Sequence, residues 1–322
     1  MNNSIFDLVI APWKTAVLQT AIRLKIFTLL SDHQLSAEEL AAQTNTNEVF
    51  LQAVLNALVC MGLLRFEKVK YQNSHLSRIY FIEGEPFYVG DFIQLLANES
   101  SKWNKLFSMA SKEKEISCDS VESNRTFIKA MHNMGMLGEV DALINSVSLS
   151  TCQNMVDAGG GSGIYSIALC QKYPDLKSTI LDSHETLGVT KEFVSKHDVR
   201  ERIELRECDI TMDKLGDRID AVLLSDVTYD VTEAEKILKN VWNCLRTRGQ
   251  LIVRGYYYDP QHPNPLFGAL FMINQLVINS DRELVTLASL KALIEKTRYI
   301  ITKVSPLTER SFIILATKSA CS

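Results

Sequence analysis

The segment NMVDAGGGSGIYS holds the residues whose types and spacing are most suited to chemistry. Its glycines follow the pattern Gly159-x-Gly161-x-Gly163, and Ile164 stands where a dinucleotide-binding G-x-G-x-x-G loop has its last glycine. Just before the loop is Asp157, whose carboxylate would repel a diphosphate and attract an ammonium or sulfonium group. The loop is therefore predicted to hold a cation rather than a phosphate.

Two further acids stand where such a ligand would need them. Asp182 ends the stretch KSTILD, about twenty residues past the loop, where an acid accepts hydrogen bonds from both ribose hydroxyls. Asp209, in CDI, ends the next predicted strand and can accept from an adenine amino group. With the glycine loop and without a P-loop lysine, Asp157, Asp182 and Asp209 predict a pocket for S-adenosylmethionine. The alternative is that these acids only cap the helices that follow them.

Alternating strands and helices must position these groups. Val156 ends a first predicted strand, and later strands fall at KSTILD, IELRECDI, IDAVLLSDV and GQLIVRGYYY. The stretch YIITKVSPLTERSFIILATK predicts two late strands that form a hairpin. The alternation indicates an α/β fold, with a Rossmann-like, doubly wound sheet covered on both faces. In such a sheet the ligand lies across the carboxyl ends of the strands.

The N-terminal part has helical periodicity from Phe6 to Leu64. Ser36 and Glu39 predict a capping box at the first of two helices, and LLRFEKVKYQNSHLSRIYF then alternates like a small hairpin. Helix-turn-helix plus hairpin predicts a winged helix, which suggests a DNA-binding regulator as an alternative function. However, the candidate recognition helix, 47–61, has no Lys or Arg and opens with Glu48. We therefore expect a scaffold and dimer interface.

The polar stretch MASKEKEISCDSVESN is predicted to mark a joint between two domains. This places a winged-helix dimerisation domain at residues 1–115 and a Rossmann-like domain that binds S-adenosylmethionine at residues 116–322.

The composition excludes several classes of protein. A net charge of −4 over 322 residues argues against nucleic-acid and anionic-membrane partners. Seven cysteines without a Cys-x-x-Cys pair favour the reduced thiols of a cytoplasmic protein over disulfides or a metal site. The N-terminus lacks a signal-peptide pattern. The apolar stretch Leu266–Ile278 is too short to span a bilayer.

Several motifs together resemble the small-molecule O-methyltransferases with an N-terminal winged-helix dimerisation domain. VDAGGGSG is close to that family's V-D-V-G-G-G-T-G, and LLRF, FIKAM and REL…T…L…L also fit. The resemblance covers nearly the whole chain. It implies a homodimer in which the N-terminal module of one subunit helps to close the pocket of the other. It also implies that the following residues contact S-adenosylmethionine, or its product S-adenosylhomocysteine: Gly159, Gly161, Asp182, Ser183, Asp209, Ile210 and Ser225.

The chain departs from this family at the catalytic motif. Members usually place His-Asp-Trp after the fourth strand, and here Tyr229, Asp230 and Val231 take those positions. The Glu that commonly orients the His is matched by Gly255, beside Arg254. Forming a phenolate at pH 7 costs about 4 kcal/mol at the ordinary tyrosine pKa. Unless Arg254 lies close enough to lower that pKa, Tyr229 is expected to donate a hydrogen bond rather than to act as a base.

Three hypotheses follow for the chemistry. The first is methyl transfer that needs no strong base, to an acidic phenol or enol, an amine, a thiol or an electron-rich carbon. Tyr229 and the neighbouring Asp230 would then stand at the catalytic position. The second is O-methylation with His132, in KAMHNMG, as a substitute base. The third is a cyclase or pericyclase that binds S-adenosylmethionine without transferring methyl. O-transfer is what the family resemblance implies.

Apolar residues predict the acceptor pocket. The segment Leu266–Ile278 is apolar on almost every side, so it is expected to be buried or to face a ligand. A wide, adaptable cavity would accept a flat, largely apolar molecule, such as an aromatic, polyketide, indole or tetrapyrrole-like metabolite. The residues predicted to line or close it are Trp103, Met131, Phe267, Phe271 and Met272.

Overall fold

A computed structural model describes residues 3–103, 109, 120–262 and 265–319, which belong to two compact units. The first unit comprises Met1–Ser117 and Asn264–Ile278, and the second comprises Cys118–Pro263 and Asn279–Ser322. The predicted boundary between residues 115 and 116 lies outside the described residues. The sequence-based division placed Asn264–Ile278 in the second domain, whereas in the structure this segment belongs to the first unit.

The first unit is mostly helical. Its helix pair and hairpin are the winged helix that the sequence predicts. Its elements are α1 (Asn3–Arg23), α2 (Ile26–Leu29), α3 (Ala37–Thr44), α4 (Glu48–Cys60), β1 (Leu64–Glu67), β2 (Lys70–Asn73), α5 (His75–Tyr80), α6 (Gly90–Trp103) and the helix Leu266–Ile278, which is α12 in chain order.

Capping explains where the helices of this pair begin. The amide of Glu39 donates to Ser36 Oγ at 3.1 Å, and the amide of Ser36 donates to the Glu39 carboxylate at 2.7 Å, which completes the predicted capping box. The side chain of Asn47 accepts from the amide of Phe50 and starts α4. Leu35 forms an antiparallel backbone bridge with Tyr71 of β2, so the hairpin is hydrogen-bonded to the segment that precedes α3.

The helix α1 is unusually long and apolar. By length and composition alone, its stretch Ile5–Arg23 could cross a membrane. Of the most apolar 18 residues of this stretch, 22% are buried in the structure. A core helix of a globular protein has the same length and composition, so this property defines no membrane segment. Within the first unit, α1 packs on α12, because the rings of Phe6 and Trp13 lie 5.2 and 6.3 Å from the ring of Phe267.

The second unit alternates strands and helices around one sheet. After α7 (Ser120–Met134) and a π-helical turn (Gly135–Glu139), its elements are α8 (Val140–Ser146), β3 (Asn154–Ala158), α9 (Ile164–Lys172), β4 (Lys177–Asp182), α10 (His184–Val194), β5 (Ile203–Glu207), β6 (Ile219–Ser225), α11 (Val231–Cys244), β7 (Leu245–Gly255), α13 (Leu287–Lys296), β8 (Tyr299–Pro306) and β9 (Phe312–Lys318). A short 3-10 turn, Arg200–Arg202, precedes β5.

The sheet has the strand order β5-β4-β3-β6-β7-β9-β8. The first five strands are parallel, and β8 and β9 form an antiparallel hairpin that adds to β7. Buried side chains of α11 and α13 pack on one face of the sheet, and those of α8 and α9 pack on the other. The predicted Rossmann-like α/β class is confirmed, and the parallel strands bring their carboxyl ends to one edge.

The strand limits differ from the predicted ones by a few residues. β3 continues past Val156 to Ala158, and β5 stops at Glu207, before Asp209. β7 begins earlier than predicted and ends at Gly255, so Tyr256 and Tyr257 follow the strand. After β5, the Cys208 amide still donates to the Asp182 carbonyl, so the pairing with β4 reaches to just before Asp209.

Candidate functional site

A cavity of about 430 Å³ opens in the second unit at the carboxyl ends of the parallel strands. Segments that follow β3, β4, β5 and β6 line it, together with the end of β7 and one side of α7. This is where a doubly wound sheet binds its ligands. Eight of the predicted site residues meet in its wall: Met131, Gly159, Gly161, Asp182, Ser183, Asp209, Ile210 and Ser225.

The loop after β3 needs glycine for two reasons. Gly159 and Gly161 have φ angles of 73° and 55°, in the left-handed region that favours glycine. A Cβ on Gly159 would lie 2.5 Å from the Val227 side chain, whereas one on Gly161 would meet no atom within 4 Å. Gly161 also lines the cavity, so its missing side chain leaves room for a ligand to approach the backbone.

Asp182 joins this loop to the end of β4. The amide of Gly161 donates to Asp182 Oδ2 at 2.9 Å, and the amide of Ser183 donates to Oδ1 at 2.8 Å. Each carboxylate oxygen keeps a further lone pair for another donor. The side chain of Ser183 is directed to the N-terminus of α10, where it accepts from the amide of Thr186. Asp182 is therefore fixed in position and still able to accept two hydroxyl groups.

Asp209 stands on the loop after β5. Its Oδ1 accepts from the amide and the hydroxyl of Thr211, at 2.8 and 2.7 Å. These hydrogen bonds lower the pKa of the carboxyl. Asp209 is thus a charged acceptor in the cavity wall, beside Ile210, whose side chain packs near the backbone of Gly159.

The prediction that Asp157 faces a bound cation needs correction. Its side chain is fully buried behind the loop, and it is absent from the residues that line the cavity. Ser166 Oγ donates to Asp157 Oδ2 at 2.7 Å, while Oδ1 has no hydrogen-bond partner among the described residues. Burial raises the pKa of this carboxyl to about 6. The position beneath Gly160 is too enclosed for contact with a ligand in the cavity.

A buried network of charges lies at the β6 and β7 side of the cavity. The Arg254 guanidinium donates to Glu139 Oε2 at 2.8 Å and to a carboxylate oxygen of Asp226. Glu139 also accepts hydroxyl hydrogen bonds from Thr308 and Ser311. Burial alone would raise the pKa of Glu139, but Arg254 and the two hydroxyls outweigh it and lower that pKa. Asp226 and Arg254 both line the cavity, whereas Glu139 lies behind them.

Tyr229 is part of this network rather than of the cavity wall. Its hydroxyl donates to Asp226 Oδ1 and accepts from the amide of Tyr256 at 2.9 Å. Burial and the nearby Asp226 charge raise the pKa of Tyr229 well above 10, although Arg254 opposes the shift. The expectation that Tyr229 is a hydrogen-bond donor agrees with this geometry. The prediction that Tyr229 stands at the catalytic position is corrected, because Tyr229 is not part of the cavity wall and reaches the cavity through Asp226.

The other two catalytic candidates have structural partners. Asp230 caps α11 by accepting from the amide of Glu233 at 3.0 Å, and it also accepts from the amide of Glu283. His132 Nδ1 lies 3.1 Å from Ser162 Oγ, and its ring stacks on Phe193 with centroids 4.1 Å apart. Burial lowers the pKa of His132. Since neither residue lines the cavity, the structure does not bring them to the predicted catalytic position.

Of the predicted acceptor residues, Met131 lies in the cavity wall, with Phe127 and Met134 of the same helix nearby in the lining. The remaining four belong to the first compact unit, so their place at an acceptor pocket stays a prediction. There Trp103 is 68% exposed, Phe267 is buried, and the rings of Phe267 and Phe271 are 6.0 Å apart. Met272 is half-buried.

Asp226 and Glu139 were not predicted from the sequence. The signal was Arg254 itself, which interrupts the apolar run LIVRG of a buried strand. A guanidinium in such a place requires carboxylate partners. Glu139 is 115 residues away in sequence, so only the fold identifies it.

The described lining fits S-adenosylmethionine. It carries the carboxylates of Asp182, Asp209 and Asp226 against the single guanidinium of Arg254, which is already ion-paired. An excess of negative charge attracts a cationic ligand and repels a diphosphate. The open space at Gly161 and the free lone pairs of Asp182 suit a nucleoside with two ribose hydroxyls. Within the described ranges, no group of three or more His, Cys, Asp or Glu side chains is arranged to hold a metal ion. This combination of sheet and cavity is that of a methyltransferase of the Rossmann-like class.

Comparison with known proteins identifies the family. Residues 87–293 match the O-methyltransferase domain, and residues 6–83 match the O-methyltransferase dimerisation domain. The chain therefore belongs to the O-methyltransferase family, as its motifs indicated, and it is a methyltransferase that depends on S-adenosylmethionine.

Three similar proteins show the range of this family. The 3-hydroxy-5-methyl-1-naphthoate 3-O-methyltransferase of Streptomyces sahachiroi is 27% identical over 285 residues, which cover 84% of this chain and 82% of the relative. The bacteriochlorophyllide d C-20 methyltransferase of Chlorobaculum tepidum is 21% identical, covering 77% and 76%. A crystal structure of an O-methyltransferase family 2 protein from Planctomyces limnophilus, in complex with apigenin, has a TM-score of 0.79 at 23% identity, covering 98% and 95%, and so shares the fold.

The buried Asp157 makes the stability of the cofactor-free protein depend on pH. Its pKa is about 6 in the folded chain against 3.8 ordinarily, so the folded state binds the proton more tightly and stability falls as pH rises from about 4 through about 6. The full effect is worth about 3 kcal/mol. We expect Asp157→Asn, which keeps an acceptor for Ser166, to unfold at a higher temperature than the wild type above pH 7 and to lose most of this advantage near pH 4.5. Thermal melts across that range measure it.

Asp217→Asn is the matched control, because Asp217 is 74% exposed and forms an ion pair with the exposed Lys214. A variant Asp157→Asn that is less stable than the wild type at pH 8 would show that the ionised carboxylate is needed where it lies.

Proposed function

We propose that the protein transfers a methyl group from S-adenosylmethionine to a hydroxyl group of a flat, largely apolar aromatic molecule of the polyketide type. The observation that carries this proposal is the acidic cavity built around the hydrogen bond between Gly161 and Asp182. The naphthoate 3-O-methyltransferase that resembles the chain supports the choice of a hydroxyl on an aromatic ring.

The chain's own residues divide the work of holding the cofactor. Asp182 would accept the ribose hydroxyls, and Asp209 the adenine amino group, with Ile210 against the base. Gly159 and Gly161 would let the ligand approach the loop backbone, and Ser183 and Ser225 complete the polar wall. When bound, S-adenosylmethionine supplies a methyl group that positive sulfur has already activated.

The side of the cavity formed by α7 suits the acceptor. Phe127, Ile128, Met131 and Met134 give it an apolar surface, and Tyr256 adds an aromatic ring with a polar tip. Unbranched methionines adapt to ligands of different shape. Trp103, Phe267, Phe271 and Met272 remain proposed acceptor residues, on the apolar character of their side chains.

Transfer to carbon or nitrogen is the second candidate. The observation that favours it is the tyrosine at the position of the usual histidine, since Tyr229 is held as a buried donor with a raised pKa. The similar C-20 methyltransferase of Chlorobaculum tepidum acts on carbon, as its name states. The choice between these acceptor atoms is made by the products of a transfer assay, analysed by mass spectrometry.

A homodimer is proposed as the working form. The dimerisation domain at residues 6–83 supports it. The exposed apolar side chains Leu8 and Val9 of α1 and Phe92 and Leu95 of α6 give this unit surface that pairing would cover.

Asp182→Ala tests the cofactor site. Removing a charged acceptor of two hydroxyl hydrogen bonds is expected to weaken S-adenosylhomocysteine binding by about 100-fold or more, because each such bond contributes about 1.5–3 kcal/mol. Titration calorimetry measures this, with Asp217→Ala as the control for loss of an exposed carboxylate. Unchanged binding by Asp182→Ala would refute the site assignment.

Tyr229→Phe tests the role of the phenol. The variant loses one hydrogen bond that fixes Asp226, so transfer of radiolabelled methyl to an aromatic panel containing 3-hydroxy-1-naphthoate and apigenin should fall about tenfold without being abolished. A complete loss, together with a wild-type rate that rises with pH through one group missing from the variant, would instead identify a phenolate base.

A further inference from the structure

The strand order gives the cavity two chemically different sides. Asp209 follows β5 and Asp182 ends β4, on one side of the glycine loop that follows β3. Asp226 follows β6, and Arg254 lies at the end of β7, on the other side of that loop. The proposed contacts of Asp182, Asp209 and Ile210 with the nucleoside use the first side, and Ser225 lies at the start of the second side, at the end of β6. The ion pair on the second side is left for the molecule that receives the methyl group.

Asp226 is the member of the buried network that remains accessible. Its side chain is 29% exposed, whereas Arg254 and Glu139 are 1% and 0% exposed. Its carboxylate is held at both oxygens, by the Tyr229 hydroxyl on Oδ1 and by Arg254 on Oδ2. Its amide donates to the carbonyl of Arg254 at 3.0 Å, which fixes the backbone as well. The Ser225 side chain is a further donor to this carboxylate. The two oxygens together have about four lone-pair sites, so a donor from the methyl acceptor can still bind.

We propose that Asp226 accepts a hydrogen bond, and then the proton, from the O–H or N–H group of the methyl acceptor. This inference rests on the proposed function. As the acceptor atom forms its bond to the methyl carbon, the carbon–sulfur bond breaks and its electron pair goes to sulfur. The proton of the acceptor passes to a carboxylate oxygen of Asp226, so a cation, a neutral acceptor and a carboxylate become three neutral groups.

The surroundings of Asp226 suit this task. Glu139 shares the positive charge of Arg254, so Arg254 positions the carboxylate of Asp226 without fully neutralising it. Burial raises the pKa of Asp226 above its ordinary value, with Arg254 opposing the shift, and a higher pKa makes a carboxylate a better proton acceptor. The charged and titratable groups that face it are Glu139, Tyr165, Tyr229, Arg254, Tyr256 and Tyr257.

The position also selects the class of acceptor. A phenol, an enol or an N–H group can donate to Asp226 at the reacting atom. A carboxylate or phosphate at that point would be repelled by it. Asp226 therefore takes over the function of the missing histidine. It stands three residues before Tyr229, which occupies the position of that histidine in the sequence.

Binding of a matched pair of probes tests the proposal without turnover. The probes are 1-naphthol, which donates a hydrogen bond, and 1-methoxynaphthalene, which does not, each titrated into the protein saturated with S-adenosylhomocysteine. The variants are Asp226→Asn and the exposed control Asp217→Asn. Asn suits position 226, because it keeps the shape of the side chain and tolerates the left-handed backbone found there, with φ of 61°.

The wild type and Asp217→Asn should bind 1-naphthol about tenfold more tightly than 1-methoxynaphthalene, a difference of about 1.4 kcal/mol. In Asp226→Asn the ratio of the two affinities should fall below about threefold in a variant that still binds S-adenosylhomocysteine. The ratio should also decline at acidic pH in the wild type, as Asp226 takes up a proton, and stay level in Asp226→Asn. A purely structural role for Asp226 would not give this pH dependence.

A wild-type ratio near one would overturn the proposal, and so would an Asp226→Asn variant that keeps the wild-type ratio and pH profile. A wild-type protein that fails to bind S-adenosylhomocysteine would overturn the proposed function, and this inference with it. Calorimetry of S-adenosylhomocysteine binding, without a probe, therefore distinguishes the two failures.

Discussion

The carboxylate of Asp182 holds the glycine loop against the end of β4, and the rest of the site is built on this contact. The amide of Gly161 can reach Asp182 only because the loop turns through positive φ angles without side chains. The same absence of side chains leaves open space beside Gly161 on the cavity side. One hydrogen bond thus sets both the shape of the cavity and the placement of its main acceptor group.

Beyond that contact, the cavity is organised by charge. Acids lie on both sides of the loop, and the lone guanidinium in the described lining is bound to Asp226 and Glu139. A diphosphate would find no unpaired cation there, while a sulfonium nucleoside would meet carboxylates. The buried ion network also explains how the chain tolerates a tyrosine at the usual histidine position, since Tyr229 is tied to Asp226 and Tyr256.

Sequence patterns predicted the elements better than they predicted the roles of single side chains. The capping box at Ser36, the recognition-like helix Glu48–Cys60 and the strand Lys177–Asp182 follow from local spacing, which is a property of neighbouring residues. Asp182 and Asp209 reach the cavity because strand ends meet at one edge of a parallel sheet.

The side chain of Asp157 turns away from that edge and lies under Gly160, a direction that sequence spacing does not determine. Asp230 was predicted from its place in the catalytic motif, and His132 from its place in the helical stretch KAMHNMG. In the structure Asp230 caps a helix, and His132 stacks on Phe193. The network of Arg254, Asp226 and Glu139 joins distant segments, so only the fold assembles it.

The central claim is that the cavity prefers a cationic adenosyl donor to a dinucleotide. Titration calorimetry of the wild-type protein with S-adenosylmethionine and with NAD, in one buffer at pH 7.5, tests it most directly. The account predicts a dissociation constant on the order of micromolar or lower for S-adenosylmethionine, and binding of NAD that is weaker by about 100-fold or more. Tighter binding of NAD, or no heat of binding with S-adenosylmethionine, would contradict it.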